Sequence, residues 1–242
     1  MKRRGFTLLE VLVALAVFAS AGIALMQATA AHLNALGQLE EITLANYVAG
    51  NRLAELQLKI LWEELLARWR QPAPSPEQQA AWQRICTLLI DSALAQPKVL
   101  VHRDYMPRNL MLSEPNPGVL DFQDAVYGPV TYDVTCLFKD AFLSWPEARV
   151  QHWLQQYWQQ ASEAGVPVQP VWDDFLRASD LMGVQRHLKV IGIFARICHR
   201  DGKPRYLGDV PRFFSYIEAV LARRPELAEL AELLGSLRRE PV

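Results

Sequence analysis

The chain has 242 residues, 51% of them apolar, with 25 basic against 26 acidic side chains. That is enough for one or two globular domains with a sizeable core, and near-neutrality gives no reason to expect nucleic-acid binding. The three cysteines, Cys86, Cys136 and Cys198, are odd in number, widely separated and without metal-binding spacing, so they read as buried thiols and exclude a disulfide framework.

The first element is a membrane span. Lys2-Arg3-Arg4-Gly5 precedes Phe6-Thr-Leu-Leu-Glu10 and an apolar run to about Met26. About 20 such residues in a helix cross a bilayer. No Lys or Arg follows until Arg52, so the charge pattern keeps the N-terminus in the cytoplasm and puts the rest outside the inner membrane after a single pass. Glu10 is out of place, because a carboxylate in a span is costly unless paired, and so it is a functional candidate. A secretory signal peptide cut after Ala21 or Ala30, or a plain anchor, also fits the apolar run; Glu10 argues against the signal peptide. The string KRRGFTLLEVLVALAVF resembles the N-terminal signal of type IV pilin-like proteins. It is most similar to the I-type minor pseudopilins of type II secretion, and the likeness continues as a long helix to about residue 58. The resemblance implies cleavage after Gly5 by a prepilin peptidase and N-methylation of Phe6. It also implies pairing of Glu10 with the terminal amine of a neighbouring pseudopilin.

A new amphipathic helix is expected over 60–69. The Pro-rich stretch 71–76 breaks it, and Ser75 is placed to cap the next helix, which runs to about Ala95.

Residues 99–125, VLVHRDYMPRNLMLSEPNPGVLDFQDA, carry three groups suited to chemistry: Asp104, Asn109 and Asp121. Residues 99–101 read as a strand and 102–108 as a loop. The runs 109–112 and 119–122 flank a segment dense in turn formers, so they read as a hairpin. With the turn near Pro115–Asn116, Asn109 falls roughly opposite Asp121, about 4.5–5.5 Å away at Cα. Two oxygen donors that close suit Mg²⁺ completed by phosphate oxygens.

H-R-D-x-x-x-x-N followed by D-F is the catalytic signature of protein-kinase-like phosphotransferases. The form here, HRDYMPRNL then VLDFQDAVYGPVTYD, most resembles the aminoglycoside phosphotransferase family. Within it, the likeness is greatest to bacterial kinases acting on the anomeric hydroxyl of N-acetylmuramate and N-acetylglucosamine in cell-wall recycling, and it runs over about 61–240. The resemblance implies a mainly α fold with a small β-hairpin sheet, a kinase-like C-lobe. It implies ATP and Mg²⁺ as cofactors and an amino-sugar or aminoglycoside-like small molecule as acceptor. Asp104 would be the catalytic base, Asn109 and Asp121 the metal ligands, and His102 and Asp133 braces of the loop. His102 is expected to pack on Phe122. Gln123 stands where protein kinases have Gly.

A kinase N-lobe would bring a phosphate-covering loop, a strand lysine and a helix glutamate. Ahead of the motif, Lys59 and Lys98 are the only lysines after the leader, and neither follows a glycine-rich loop. The chain therefore reads as 1–58, a pseudopilin-type segment, joined to 59–242, a kinase C-lobe without its N-lobe, with little activity expected. The two parts disagree about compartment, since ATP is cytoplasmic.

Beyond the motif, Asp133 is a plausible N-cap for a helix to about Leu143. Further helices are expected over 145–164, ended by Gly165, then 171–181, 182–199 and 226–239. Leu181, Val184, Leu188, Ile191, Ala195 and Cys198 share one face of the most apolar of these. Arg186, Lys189, Arg196 and Arg200 lie along another. That stripe is either a solvated, salt-bridged face or a lining for an anionic sugar or phosphate. His187 and His199 read as packed or surface residues, and Asp124 as a solvated loop carboxylate or a second metal contact.

Overall fold

The computed structural model describes residues 74–238. The span, Gly5, Phe6, Glu10 and the helix expected over 60–69 lie outside the described residues, as does the side chain of His199. Among the described residues, no helix is long and apolar enough to cross a membrane.

Helix α1 (Pro76–Leu94) begins at Ser75. The Ser75 hydroxyl accepts from Gln78 N–H at 3.2 Å, and Gln78 Oε1 accepts from Ser75 N–H at 2.9 Å. This capping box, with Pro76 at the first helical position, satisfies two amides the helix cannot. Trp82, Ile85, Leu89 and Ala93 form its buried stripe.

Strand β1 (Lys98–Val101) follows, then a single 3-10 turn (Pro107–Asn109) and the two-residue strands β2 (Leu110–Met111) and β3 (Gly118–Val119). Strand β4 (Val126–Pro129) pairs antiparallel with β1, from Lys98 opposite Pro129 to Val101 opposite Val126. The sequence reading has no β4. Its run, Val-Tyr-Gly-Pro, lacks the apolar alternation of a strand and pairs across 24 intervening residues.

The hairpin register also differs from the expected one. Leu110 faces Val119 and Met111 faces Gly118. The Leu120 N–H donates to the Asn109 carbonyl at 2.9 Å, so Leu120, not Asp121, is opposite Asn109. A slip of one residue in a strand turns a side chain to the other face. Just past the strand, Asp121 takes a left-handed conformation with φ +63°.

Helix α2 (Thr131–Phe138) is shorter than expected. Its N-cap residue is Val130, and Asp133 is its third residue, bonded to the preceding loop instead of its own helix. It ends where Asp140 turns the chain, its Oδ2 accepting from the amides of Phe142 and Leu143. Helix α3 (Glu147–Glu163) ends ahead of Gly165, whose φ of +75° suits glycine. The helices expected over 171–181 and 182–199 are one helix, α4 (Trp172–Asp201), 30 residues and about 45 Å long, closed by left-handed Gly202.

Helix α5 (Val210–Leu221) has no counterpart in the sequence reading, although Phe213, Tyr216, Ile217 and Val220 bury at helical spacing. A 3-10 turn (Pro225–Leu227) leads into α6 (Ala228–Arg238).

The main core joins α1, α4, α5 and α6. Leu181, Val184, Leu188 and Ile191 of α4 pack among Leu89, Phe213, Ile217 and Leu230, each contributing about 1.5–3 kcal/mol. A smaller core of Val134, Val150, Leu154 and Phe175 fixes α2 and α3 to the start of α4. None of the three cysteines is in a disulfide; Cys136 is buried, while Cys86 and Cys198 are half-buried.

Candidate active site

The β1–β4 pair explains how two distant segments meet. Val101 and Val126 are partners at one end of that sheet. The loop starting at His102 leaves from that end, and the segment 121–125 arrives there. The Arg103 guanidinium reaches the Asp124 carbonyl at 3.4 Å.

The loop is held from several sides. The Asp133 carboxylate accepts from the His102 amide at 2.6 Å and the Arg103 amide at 3.0 Å. Burial pushes the Asp133 carboxyl up, and these two amides pull it back. The buried Cys136 thiol donates to the Arg103 carbonyl at 3.4 Å, and burial raises its pKa to about 12, so it stays a neutral donor. Arg108 lies over the Phe142 ring at 3.5 Å. Buried Gln96 accepts from the Thr131 hydroxyl at 2.7 Å and donates to the Ala178 carbonyl, tying the entry of β1 to α2 and α4. The sequence reading made Cys136 a buried thiol, as it is, but gave neither it nor Gln96 a part in holding the loop, and no local pattern marks that role.

His102 bridges the two segments. Its Nδ1 accepts from the Asp104 amide at 3.3 Å, which leaves Nε2–H to donate to the Leu120 carbonyl at 2.8 Å. Its ring meets Tyr105 edge-on at 5.9 Å. The expected packing on Phe122 is absent among the described contacts; that ring is exposed, because the chain turns away at Asp121.

Asp104 is exposed. Its carbonyl accepts from the Met106 amide and from Asn109 Nδ2, both at 2.9 Å. Asp121 is also exposed and takes a 2.6 Å bond from Gln123 Nε2 on Oδ1. Apart from glycine, only Arg103 (φ +76°) and Asp121 (φ +63°) among the described residues have positive φ. Such residues typically cost 1–3 kcal/mol and gather at functional sites. One is next to Asp104 and the other is Asp121 itself.

Asn109 and Asp121 offer an amide oxygen and a carboxylate, neither fully committed within the protein. Hard oxygen donors of this kind, few in number and open to solvent, fit Mg²⁺ shared with phosphate. Among the described residues no group of three or more His, Cys, Asp or Glu could hold a metal by itself, so phosphate and water would have to complete the shell.

The basic stripe divides. Arg186 is 5% exposed and Lys189 half-buried. Both are within electrostatic reach of Asp104. Arg196 lies about 15 Å further along the axis and interacts with Asp201, which Arg200 also bonds. A solvated face therefore describes Arg200 and not Arg186. His187 is buried against Tyr216 and Phe213.

Several apolar side chains of the small sheets and the segments next to them are exposed. Leu100 (73% exposed) and its cross-strand partner Tyr127 are open, as are Met111, Leu112 (93%), Leu120 and Phe122.

Comparison with known proteins matches residues 2–175 to a family model described as the phosphotransferase enzyme family. The chain is 79% identical over 161 residues to the N-acetylmuramate/N-acetylglucosamine kinase of Pseudomonas putida, covering 66% of this chain and 48% of the relative. It is 72% identical over 183 residues to the protein of the same name in Pseudomonas aeruginosa, covering 76% and 54%. Its N-terminal part is 55% identical over 62 residues to type II secretion system protein I of Aeromonas hydrophila, covering 26% of this chain and 52% of that protein. The chain thus spans about half the length of the curated relatives it matches. With the family model matched over most of its residues, the chain belongs to the phosphotransferase enzyme family.

Proposed function

We propose that residues 59–242 form the acceptor- and metal-binding lobe of an ATP-dependent sugar kinase acting on the anomeric hydroxyl of N-acetylmuramate or N-acetylglucosamine, a step of cell-wall recycling. The observation that carries this reading is the 79% identity over 161 residues to a relative bearing that name. The geometry around the loop is consistent with it. The Asp104 carboxylate accepts the hydroxyl proton as the sugar oxygen bonds to the γ-phosphorus of ATP and ADP leaves. Asn109 and Asp121 would hold Mg²⁺, which when bound would offset charge on the phosphates. Asp133, His102 and Cys136 keep the loop still, so that Asp104 meets the hydroxyl without reorganisation.

In this chain a pseudopilin-like segment directly precedes the lobe, where such a kinase has its nucleotide-covering half. The open apolar side chains beside Asn109 and Asp121 suit a face made to be covered. Turnover by the chain alone is therefore expected to be very low. The test is sugar-phosphate formation from ATP, Mg²⁺ and either sugar, followed by mass spectrometry, together with calorimetric titration of each sugar. Saturable sugar binding with little turnover is expected. Turnover that disappears in Asp104→Ala overturns the low activity, and failure to bind either sugar overturns the kinase reading.

A second reading is favoured by the 55% identity to a type II secretion protein I. Residues 1–58 then act as a minor pseudopilin segment in the inner membrane, N-terminus in the cytoplasm, cut after Gly5, methylated on Phe6, with Glu10 contacting other pseudopilins. Coexpression with a prepilin peptidase and intact-mass analysis tests this. Loss of residues 1–5 and a gain of one methyl group support it, and an unprocessed chain overturns it.

A further inference from the structure

Arg186 is a buried cation without a full set of partners. It is 5% exposed, and its Nη1 has no hydrogen-bond partner. An unpaired buried guanidinium nitrogen is costly, and such a group calls for a partner, whether water or an anion. The groups around it are Cys136, Tyr132, Asp104 and Asp140. Burial raises the pKa of both the thiol and the phenol, so neither supplies negative charge. The Cys136 thiol, which interacts with Arg186, is bonded to the Arg103 carbonyl, so Arg186 is linked through it to the loop that carries Asp104. Lys189 follows one turn later on the same face of α4. Burial lowers its pKa, as do the neighbouring cations Arg103 and Arg186, and Asp104 opposes them. Arg186 and Lys189 thus both act on the exposed Asp104 carboxylate, and Arg103 acts on Lys189, a surplus of positive charge suited to an anion.

We propose that Arg186, with Lys189 beside it, forms an oxyanion subsite next to Asp104, filled by a carboxylate of the acceptor sugar or by the phosphoryl group in transfer. This deepens the kinase reading and rests on it. Guanidinium is the natural partner of either anion, because its fork bonds two oxygens at once. Asp140 is the competing explanation. Its Oδ1 is also buried and unpartnered, and an Arg186 that only balanced Asp140 would bind nothing.

The test uses the full chain, with Arg186→Met, Arg186→Lys and Lys189→Met. Each is checked by thermal melting and titrated with N-acetylmuramate, N-acetylglucosamine and inorganic phosphate. If the subsite reads a sugar carboxylate, Arg186→Met weakens N-acetylmuramate roughly ten- to a hundredfold and leaves N-acetylglucosamine unchanged, and Arg186→Lys restores part of the loss. If it reads the phosphoryl group, phosphate weakens by that factor and both sugars bind as before. Lys189→Met weakens the same anion severalfold and carries the comparison if Arg186→Met does not fold. Unchanged binding of every probe in the variants, or no binding of either anion to the natural chain, overturns the proposal. Phosphate binding that depends on Arg186, in a chain that binds neither sugar, overturns the sugar-kinase reading and leaves the subsite standing.

Discussion

The side-chain nitrogen of Asn109 donates to the main-chain carbonyl of Asp104 at 2.9 Å. One residue of the motif thereby sets the backbone of the other. The bond uses the amide nitrogen and leaves the amide oxygen for another partner. Asp104 and Asn109 can thus have separate duties at one place, a proton acceptor and a metal ligand. Asn109→Ala and Asp121→Ala should each weaken Mn²⁺ binding, used in place of Mg²⁺, by about tenfold or more, as expected when one ligand of a few is lost. Asp104→Ala should leave it within about twofold. Electron paramagnetic resonance of free Mn²⁺ measures this, and equal losses in all three variants would remove the division of roles.

The brace at Asp133 should be costly to remove. Its carboxylate takes two backbone amides, from His102 and Arg103. Asp133→Ala leaves both without that partner and should destabilise the fold by about 2–3 kcal/mol. Asp133→Asn, which keeps one acceptor, should lose less. Urea unfolding of the two variants measures the difference, and equal stability would mean that water replaces the carboxylate.

A second charged cluster lies away from the loop. Asp180 is fully buried and accepts two bonds from Arg223, at 2.9 and 2.6 Å, and one from Arg224 at 2.8 Å. Lys139 Nζ is 3.7 Å away, and burial lowers the pKa of that amine. Asp180→Ala would leave these cations without their central counter-charge, a loss of about 3–5 kcal/mol. A fall in melting temperature of several degrees is expected, and a change under one degree would contradict it.

His187 supplies a pH dependence. Burial first, then the nearby cations Arg186 and Lys139, hold its imidazole pKa well below the ordinary value, and its bond to the Lys139 carbonyl opposes them weakly. The unfolded chain takes up a proton near pH 6.5 that the folded chain refuses. This contribution to stability is therefore complete above about pH 6.5 and is lost on acidification, at up to about 1.4 kcal/mol per pH unit. His187→Phe should flatten the slope between pH 5 and 6.5 by one proton. Chemical unfolding across that range reads it, and an unchanged slope would assign the proton elsewhere.

The order HRD, Asn109, Asp121 and the capping box at Ser75 are local facts, legible in the sequence because their spacing is short. The apolar face of α4 from Leu181 to Ala195 is legible for the same reason, since it follows helical periodicity. What the tertiary structure decided is every pairing across distance. β4 finds β1 over 24 intervening residues, and the hairpin settles one residue away from the sequence expectation, with Asp121 turning left-handed to leave it. Asp133 serves the loop and does not cap its helix. The clearest case is Arg186, whose position in a stripe of cations equally suits a wet face. Burial is a property of what packs against a side chain, and for Arg186 that is α2 and the loop around Asp104, which no local pattern encodes.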